Sequence, residues 1–172
     1  MNVKYVNPFV QAAFEVFKTE ANLEARRGAL SLHSSACTSD DVTVLISVVG
    51  QARGVVLYSM SENTVLRIVS NIMGQPFEEF DSLAQSGVAE IGNVITGRAS
   101  SLLAEEGIEV RISPPVLILG KGTLVSTLDF QRLVVPMETD MGNIHIHLAV
   151  DDTPEGMFPG DLPHVAAAEV NL

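Results

Sequence analysis

The sequence predicts an α+β fold in which helices pack on a six-stranded, mainly antiparallel sheet. Three long segments place apolar residues at helical spacing. Six shorter segments are rich in valine, isoleucine and leucine, as strands commonly are. Their order is helix, three strands, helix, followed by helix, three strands and a tail. The two halves therefore form an internal pseudo-repeat, which is not evident from residue identities.

The first half of the chain contains two predicted helices that enclose three strands. Asn7 and Pro8 are a capping residue and a proline suited to the first helical position, so they predict a helix from about Asn7 to Glu20, and an earlier start is left open. Ser61 is expected to cap the second helix, and Gly74 to end it. The predicted strands between them are Arg26–His33, Val42–Val49 and Val55–Ser59.

The second half begins with the clearest predicted element, a helix that continues from Ser82 to about Glu105. Ser82 and Gln85 fit a capping box, and Gly107 is the expected terminator. The three strands predicted after it are Glu109–Leu119, Leu124–Val135 and Ile144–Val150. We interpret residues 1–150 as one domain and residues 151–172 as a C-terminal appendage, because prolines and glycines interrupt any regular element there.

Length and composition limit the classes of function open to the chain. It has 172 residues, of which 47% are hydrophobic, so one domain with a buried core is expected. The formal net charge of −11 repels phosphate backbones and argues against a nucleic-acid partner. The first residues do not form a signal-peptide pattern, and stretches such as Val116–Leu119 are too short to span a bilayer. We therefore expect a cytoplasmic protein with no membrane partner.

The third predicted helix carries the residues with chemical potential. At about 100° per residue, four small or polar residues fall within roughly 60° of one another. They are Ser86, Glu90, Asn93 and Gly97. Apolar residues gather on nearly the opposite side, which must face the core. Glu90 and Asn93 should therefore project outward one turn apart, flanked by small residues along which a partner could lie. On spacing alone, an ordinary surface helix would also account for this pair.

The flanking sequence distinguishes these alternatives. Residues 81–97 read DSLAQSGVAEIGNVITG, and ISPPVLI follows at residues 112–118. This arrangement resembles the signature of the CheC, CheX and FliY phosphatases: Asp or Ser, three residues, Glu, two residues, Asn, and a proline some twenty residues later. Ser86, Glu90, Asn93 and the pair Pro114-Pro115 occupy those places. NPFV, GVVLYSMSENTVLRIVSNIMG and HLAV also resemble CheX members, so the resemblance extends over residues 2–150.

The resemblance favours CheX over CheC within this family. CheC-type members carry two motif helices in their pseudo-symmetric halves, whereas CheX carries one. In the first helix Gln11, Glu15 and Lys18 have the spacing of Ser86, Glu90 and Asn93, but a lysine replaces the asparagine. We therefore expect one active site per chain.

The resemblance implies a phosphatase that acts on the phosphorylated aspartate of a CheY-like receiver domain. Asn93 would orient the attacking water, Glu90 would bind the receiver, and Ser86 and Gly97 would line the partner surface. The receiver would supply Mg²⁺, so no cofactor or metal site of the chain's own is implied. CheX-like proteins pair through a continuous sheet, which implies a homodimer formed by sheet-edge pairing.

Two other functions compete with this interpretation. A protein of the same fold could bind a receiver, a flagellar switch or a receptor-modifying protein without catalysis. A metal-dependent enzyme could instead use His145 and His147, which alternate on the last predicted strand and share a face. No third ligand is apparent beside them, and they could simply form the polar face of an amphipathic strand.

Overall fold

Three helices lie on one face of an antiparallel sheet in the computed structural model, which describes residues 3–33, 37–127 and 130–154. The helices are α1 (Val3–Glu20), α2 (Glu62–Met73) and α3 (Ser82–Glu105). The strands are β1 (Ala25–Arg27), β2 (Ser31–His33), β3 (Cys37–Thr38), β4 (Val42–Gly50), β5 (Ala52–Met60), β6 (Val110–Ile112), β7 (Val116–Leu119), β8 (Leu124–Val125), β9 (Arg132–Thr139) and β10 (Gly142–Asp152). This is the predicted α+β class.

The main sheet has eight strands, so the prediction of six is wrong in number. Its order is β1-β9-β10-β5-β4-β6, with β2 also paired to β9 and β7 also paired to β4. All of its pairings are antiparallel. Eight strands therefore fill six positions, because each edge position holds two short strands. β3 and β8 form a separate two-stranded sheet.

Prolines account for both interruptions. The predicted strand Glu109–Leu119 is split into β6 and β7 at Pro114 and Pro115, which have no N–H to donate to β4. The predicted strand Arg26–His33 is split into β1 and β2 opposite Pro136 of β9. There Gly28 donates its N–H to the Pro136 carbonyl, and Pro136 has no N–H to return.

Helix α1 begins four residues before the predicted cap, so Asn7 does not cap it and Pro8 lies inside it. Tertiary contacts stabilise the extra turn. Tyr5 is buried, and both its hydroxyl and the Lys4 ammonium donate to the carboxylate of Asp152. These contacts outweigh the hydrogen bond that the proline removes, and they join α1 to the end of β10.

The caps of the other helices are close to the predicted positions. Ser61 caps α2 by accepting a hydrogen bond from the N–H of Thr64, and Gly74 ends α2 at φ 66°, both as predicted. The cap of α3 is Asp81 rather than Ser82, because the Asp81 carboxylate accepts the N–H of Ala84 at 2.8 Å. A carboxylate at this position also complements the positive end of the helix dipole.

Strand β10 runs to Asp152, two residues beyond the predicted end of the domain at residue 150. Residues 155–172 lie outside the described residues, so an appendage there stays a prediction. Among the helices that the structure describes, none combines the length and apolar character that crossing a membrane requires.

Candidate functional site

Close packing of α3 on the sheet determines which of its residues face outward. Gly92 is buried against β4 and β5, where an added Cβ would lie 2.8 Å from Val44 Cγ1 and 3.3 Å from the Tyr58 ring. Only a glycine allows the helix backbone this approach. The buried apolar side of α3 comprises Ala84, Val88, Ile95, Ala99, Leu102 and Leu103. The opposite side must therefore face away from the sheet.

All four predicted site residues lie on this outward side. Ser86 and Glu90 are exposed, and Asn93 and Gly97 are half-buried. Asn93 Nδ2 donates to Glu90 Oε2 at 3.4 Å, which is long for a hydrogen bond and leaves both groups available to a partner. The prediction that the carboxylate and the amide project outward one turn apart is confirmed.

The surface on either side of this pair is open. Ser86 directs its hydroxyl back to the Ser82 carbonyl at 2.9 Å, so it adds little bulk. A Cβ placed on Gly97 would meet nothing within 4 Å. Leu83 and Val94 are exposed on the same side of α3. The sequence interpretation omitted these two, although helical spacing puts both within about 40° of Glu90.

We call five residues that share this side of α3 with Asn93 the docking stripe. They are Leu83, Ser86, Glu90, Val94 and Gly97. Grooves of about 800 and 740 Å³ lie beside α2 and near the start of α3, and neither is lined by Glu90 or Asn93. Because both side chains face outward on one helix, the pair suits a macromolecular partner that brings a concave site of its own.

The related positions in α1 serve a different purpose. Glu15 Oε2 accepts a hydrogen bond from Arg98 Nε at 2.7 Å, and Gln11 donates to the same carboxylate. The Arg98 guanidinium, followed by the Gln11 amide, holds the pKa of Glu15 below its usual value. This carboxylate joins α1 to α3. Lys18 stands where the asparagine of a second motif would be.

The two histidines of β10 share a face, as predicted, but their surroundings differ. His145 Nδ1 lies 3.0 Å from Asp40 Oδ2. His147 is only 9% exposed, and its Nδ1 has no hydrogen-bond partner among the described residues. Burial, followed by the nearby Arg132 charge, lowers the pKa of His147 to about 4. His147 therefore belongs to a covered part of the sheet and not to a solvated polar face.

The metal-dependent alternative gains no support from this face. Across residues 3–33, 37–127 and 130–154, no three His, Cys, Asp or Glu side chains come together in a way that could hold a metal ion. The His145 and His147 ring centroids are 6.4 Å apart in an edge-on arrangement. The Glu90–Asn93 pair is therefore the stronger candidate for chemistry.

Known proteins resemble this chain in sequence and in fold. Residues 42–138 match the family model "Chemotaxis phosphatase CheX". The chain is 29% identical over 122 residues to the CheY-P phosphatase CheX of Thermotoga maritima, a match that covers 70% of this chain and 79% of that protein. Both Glu90 and Asn93 lie within the residues matched by the family model.

Two crystal structures illustrate the likeness of fold. A CheC-like superfamily protein from Shewanella sp. PV-4 has a TM-score of 0.80 and 30% identity, covering 88% of this chain and 99% of that one. The CheX of a CheX-CheY-BeF3-Mg²⁺ complex from Borrelia burgdorferi has a TM-score of 0.75 and 26% identity, covering 88% of this chain and 100% of that one.

Burial of His147 predicts a distinct loss of stability in acid. Because its folded pKa of about 4 lies below the usual 6.5, the unfolded chain binds the extra proton first. The stability due to neutral His147 is complete above pH 6.5, declines as the pH falls and is lost near pH 4. Between about pH 7.5 and 4, wild type should lose about 2–3 kcal/mol more than His147→Phe.

Urea denaturation at both pH values measures this difference. Equal acid sensitivity in wild type and His147→Phe would show that His147 is not buried in the neutral form.

Proposed function

The chain belongs to the CheX family of chemotaxis phosphatases, and from this premise we propose that it hydrolyses the aspartyl phosphate of a CheY-like receiver domain with Glu90 and Asn93. The observation that carries the proposal is the position of these two side chains, one turn apart on the outward side of α3 and within hydrogen-bond distance of each other. The relative from Thermotoga maritima is a CheY-P phosphatase, and the CheX from Borrelia burgdorferi forms a complex with CheY.

The chemistry asks little of the phosphatase itself. An aspartyl phosphate is an acyl phosphate and is already activated for transfer. The receiver supplies Mg²⁺, as the composition of the Borrelia burgdorferi complex suggests, and the metal ion neutralises the phosphoryl oxygens. What remains is to hold a water molecule in line with the leaving carboxylate, because phosphoryl transfer depends mainly on positioning and electrostatic stabilisation.

Asn93 is suited to this positioning role. Its amide oxygen can accept a hydrogen from water, and its Nδ2 donates to Glu90 at 3.4 Å, which leaves the oxygen directed elsewhere. An amide does not take the proton as a base. Asn93 therefore orients the water, and the proton leaves with the products.

Glu90 and the rest of the docking stripe hold the receiver. The Glu90 carboxylate is exposed and accepts only a long hydrogen bond from Asn93, so it can pair with a lysine of the receiver at little cost. Leu83 and Val94 supply apolar contact area, and Ser86 and Gly97 leave room for the partner's backbone.

Replacing Asn93 with alanine should abolish most phosphatase activity. Loss of one preorganised contact raises a barrier by about 2–4 kcal/mol, which corresponds to a fall in kcat of roughly 30- to 900-fold. The rate of phosphate release from a phosphorylated receiver measures this fall in kcat.

Glu90→Ala should weaken receiver binding and turnover together, because the Glu90 carboxylate contacts the receiver. The matched control is Asn63→Ala, an exposed asparagine on α2.

The outcomes distinguish the catalytic proposal from a non-catalytic binding module. Undiminished turnover by Asn93→Ala would remove this residue from the mechanism. Tight receiver binding by wild type, without any phosphate release, would establish the non-catalytic alternative.

A bulky residue at Gly97 should block the receiver without disturbing the fold. Nothing lies within 4 Å of an added Cβ, so the α3 backbone accepts a side chain at Gly97, and tryptophan has a higher helix propensity than glycine. We expect receiver affinity to fall at least about tenfold, or 1.4 kcal/mol, with little change in unfolding free energy. Titration calorimetry tests this against Asn63→Trp, which adds the same ring to α2. Wild-type affinity in Gly97→Trp would place the receiver elsewhere.

We also propose that two chains pair through the β1–β2 edge of the sheet. Apolar side chains are exposed at both edges, Leu30 and Leu32 here and Val116 at the other, but Pro114 and Pro115 protect the opposite edge at β6 and β7 from pairing. The β6–β7 edge also packs against α3, where a second copy would compete with the receiver.

Sedimentation velocity should detect this dimer as a species of about twice 18.4 kDa. Leu32→Lys should shift it to monomer, because a charge on an edge strand opposes pairing. Val116→Lys is the control at the opposite edge, since Val116 and Leu32 are 54% and 56% exposed. A monomeric wild type, or dissociation by Val116→Lys alone, would contradict the proposed edge.

A further inference from the structure

Beneath the outward pair, a chain of buried hydroxyl groups connects the sheet to α3. Tyr58 of β5 and Thr96 of α3 are both buried, and the Tyr58 hydroxyl lies 2.9 Å from Thr96 Oγ1. Thr96 Oγ1 in turn donates to the Gly92 carbonyl at 2.7 Å. Because the single Thr96 proton goes to that carbonyl, Tyr58 must be the donor to Thr96. Burial raises the pKa of Tyr58, so this donor keeps its proton.

This series of hydroxyl groups ends at the peptide group between Gly92 and Asn93. The Gly92 carbonyl and the N and Cα atoms of Asn93 belong to one planar peptide unit. The hydrogen bond from Thr96 to this carbonyl therefore restrains the orientation of the Asn93 backbone as well. The same residue, Gly92, also sets how closely the helix approaches Val44. The depth of α3 and the tilt of this peptide plane are thus both fixed in the turn that holds Asn93.

Helix stability alone does not account for this arrangement. In an α-helix the Gly92 carbonyl already accepts the N–H of Thr96, so the hydroxyl adds a second bond to a satisfied acceptor. A threonine that bonds back to the preceding turn slightly destabilises a helix and tends to bend it. Threonine and glycine are also less favourable than alanine inside helices. Thr96 and Gly92 thus lower the stability of this helical turn, and the feature that they provide in return is a fixed peptide plane next to Asn93.

We propose that Tyr58 and Thr96 are positioning residues for the reaction, holding through Gly92 the peptide plane that orients the Asn93 amide toward the attacking water. This inference rests on the proposed function of Asn93. Neither hydroxyl touches the receiver or the water, since both are buried under the helix. Their removal should therefore lower kcat and leave KM nearly unchanged, whereas the loss of a docking contact changes binding as well.

The test compares kcat and KM for phosphate release from a phosphorylated receiver. Thr96→Val removes the hydroxyl and keeps the branched shape, and Tyr58→Phe removes the first donor. A displacement of about 1 Å in a reacting geometry can cost on the order of 100-fold, so we expect kcat to fall about 5- to 50-fold in each variant, with KM within about twofold. Thr96→Ser restores the donor and should return kcat to near the wild-type value.

A second buried hydroxyl pair provides the matched control. Thr43 Oγ1 and Ser59 Oγ lie 2.7 Å apart and are buried, but on the sheet face opposite the helices. Thr43→Val should lower thermal stability as Thr96→Val does and leave kcat unchanged. All rates are measured where unfolding curves show each variant to be folded, so that a loss of folded protein does not imitate a loss of kcat.

The results separate this proposal from the one on which it rests. If Asn93→Ala is inactive while Thr96→Val and Tyr58→Phe turn over at the wild-type rate, the positioning role is wrong and the proposed function stands. An equal loss of kcat in Thr43→Val, or a loss confined to KM in Thr96→Val, would also overturn it. Full activity of Asn93→Ala would overturn both proposals.

Discussion

The contact between the α3 backbone and the sheet at Gly92 is the constraint on which the rest of the structure depends. With a side chain at this position the helix would have to rise, because a Cβ would meet Val44 at 2.8 Å. The close approach buries one side of a 24-residue helix along its length. The opposite side of the helix is consequently left facing away from the sheet, above β4 and β5. Glu90 and Asn93 face away from the sheet because Gly92 lets the other side of the helix pack closely on it.

Local signals predicted this helix well, and long-range contacts account for most of the errors elsewhere. Helical spacing alone identified the outward positions of Glu90 and Asn93, because the periodicity of an α-helix is fixed. One strand was missed because Pro136 interrupts a segment about a hundred residues away, which no local pattern reveals. The other was missed although Pro114 and Pro115 lie within the predicted strand and mark the break in the sequence itself. The early start of α1 also depends on a distant contact, since Tyr5 and Asp152 are 147 residues apart.

The environment of individual side chains was the least predictable feature. The alternation of His145 and His147 correctly placed both on one face of β10, but it did not reveal that His147 is buried or that His145 contacts Asp40. Likewise, the spacing of Glu15 in α1 identified a position equivalent to Glu90 without showing that Arg98 occupies its carboxylate. The spacing of residues determines which way a side chain points. Its contacts depend on residues from other elements, which come together only in the folded chain.

In a site of this kind, catalysis depends less on reactive side chains than on the fold that holds one amide in position. On the proposed mechanism the receiver brings the metal ion and the activated phosphate, and the phosphatase contributes a single amide oriented toward water. Such an amide needs no perturbed pKa and no pocket, but it must hold its direction when the partner docks. A long helix packed directly on a sheet meets that requirement, because its backbone cannot tilt without breaking contacts along its whole buried side. Residues that influence the reaction can therefore also lie under the helix, on the side that never meets the substrate.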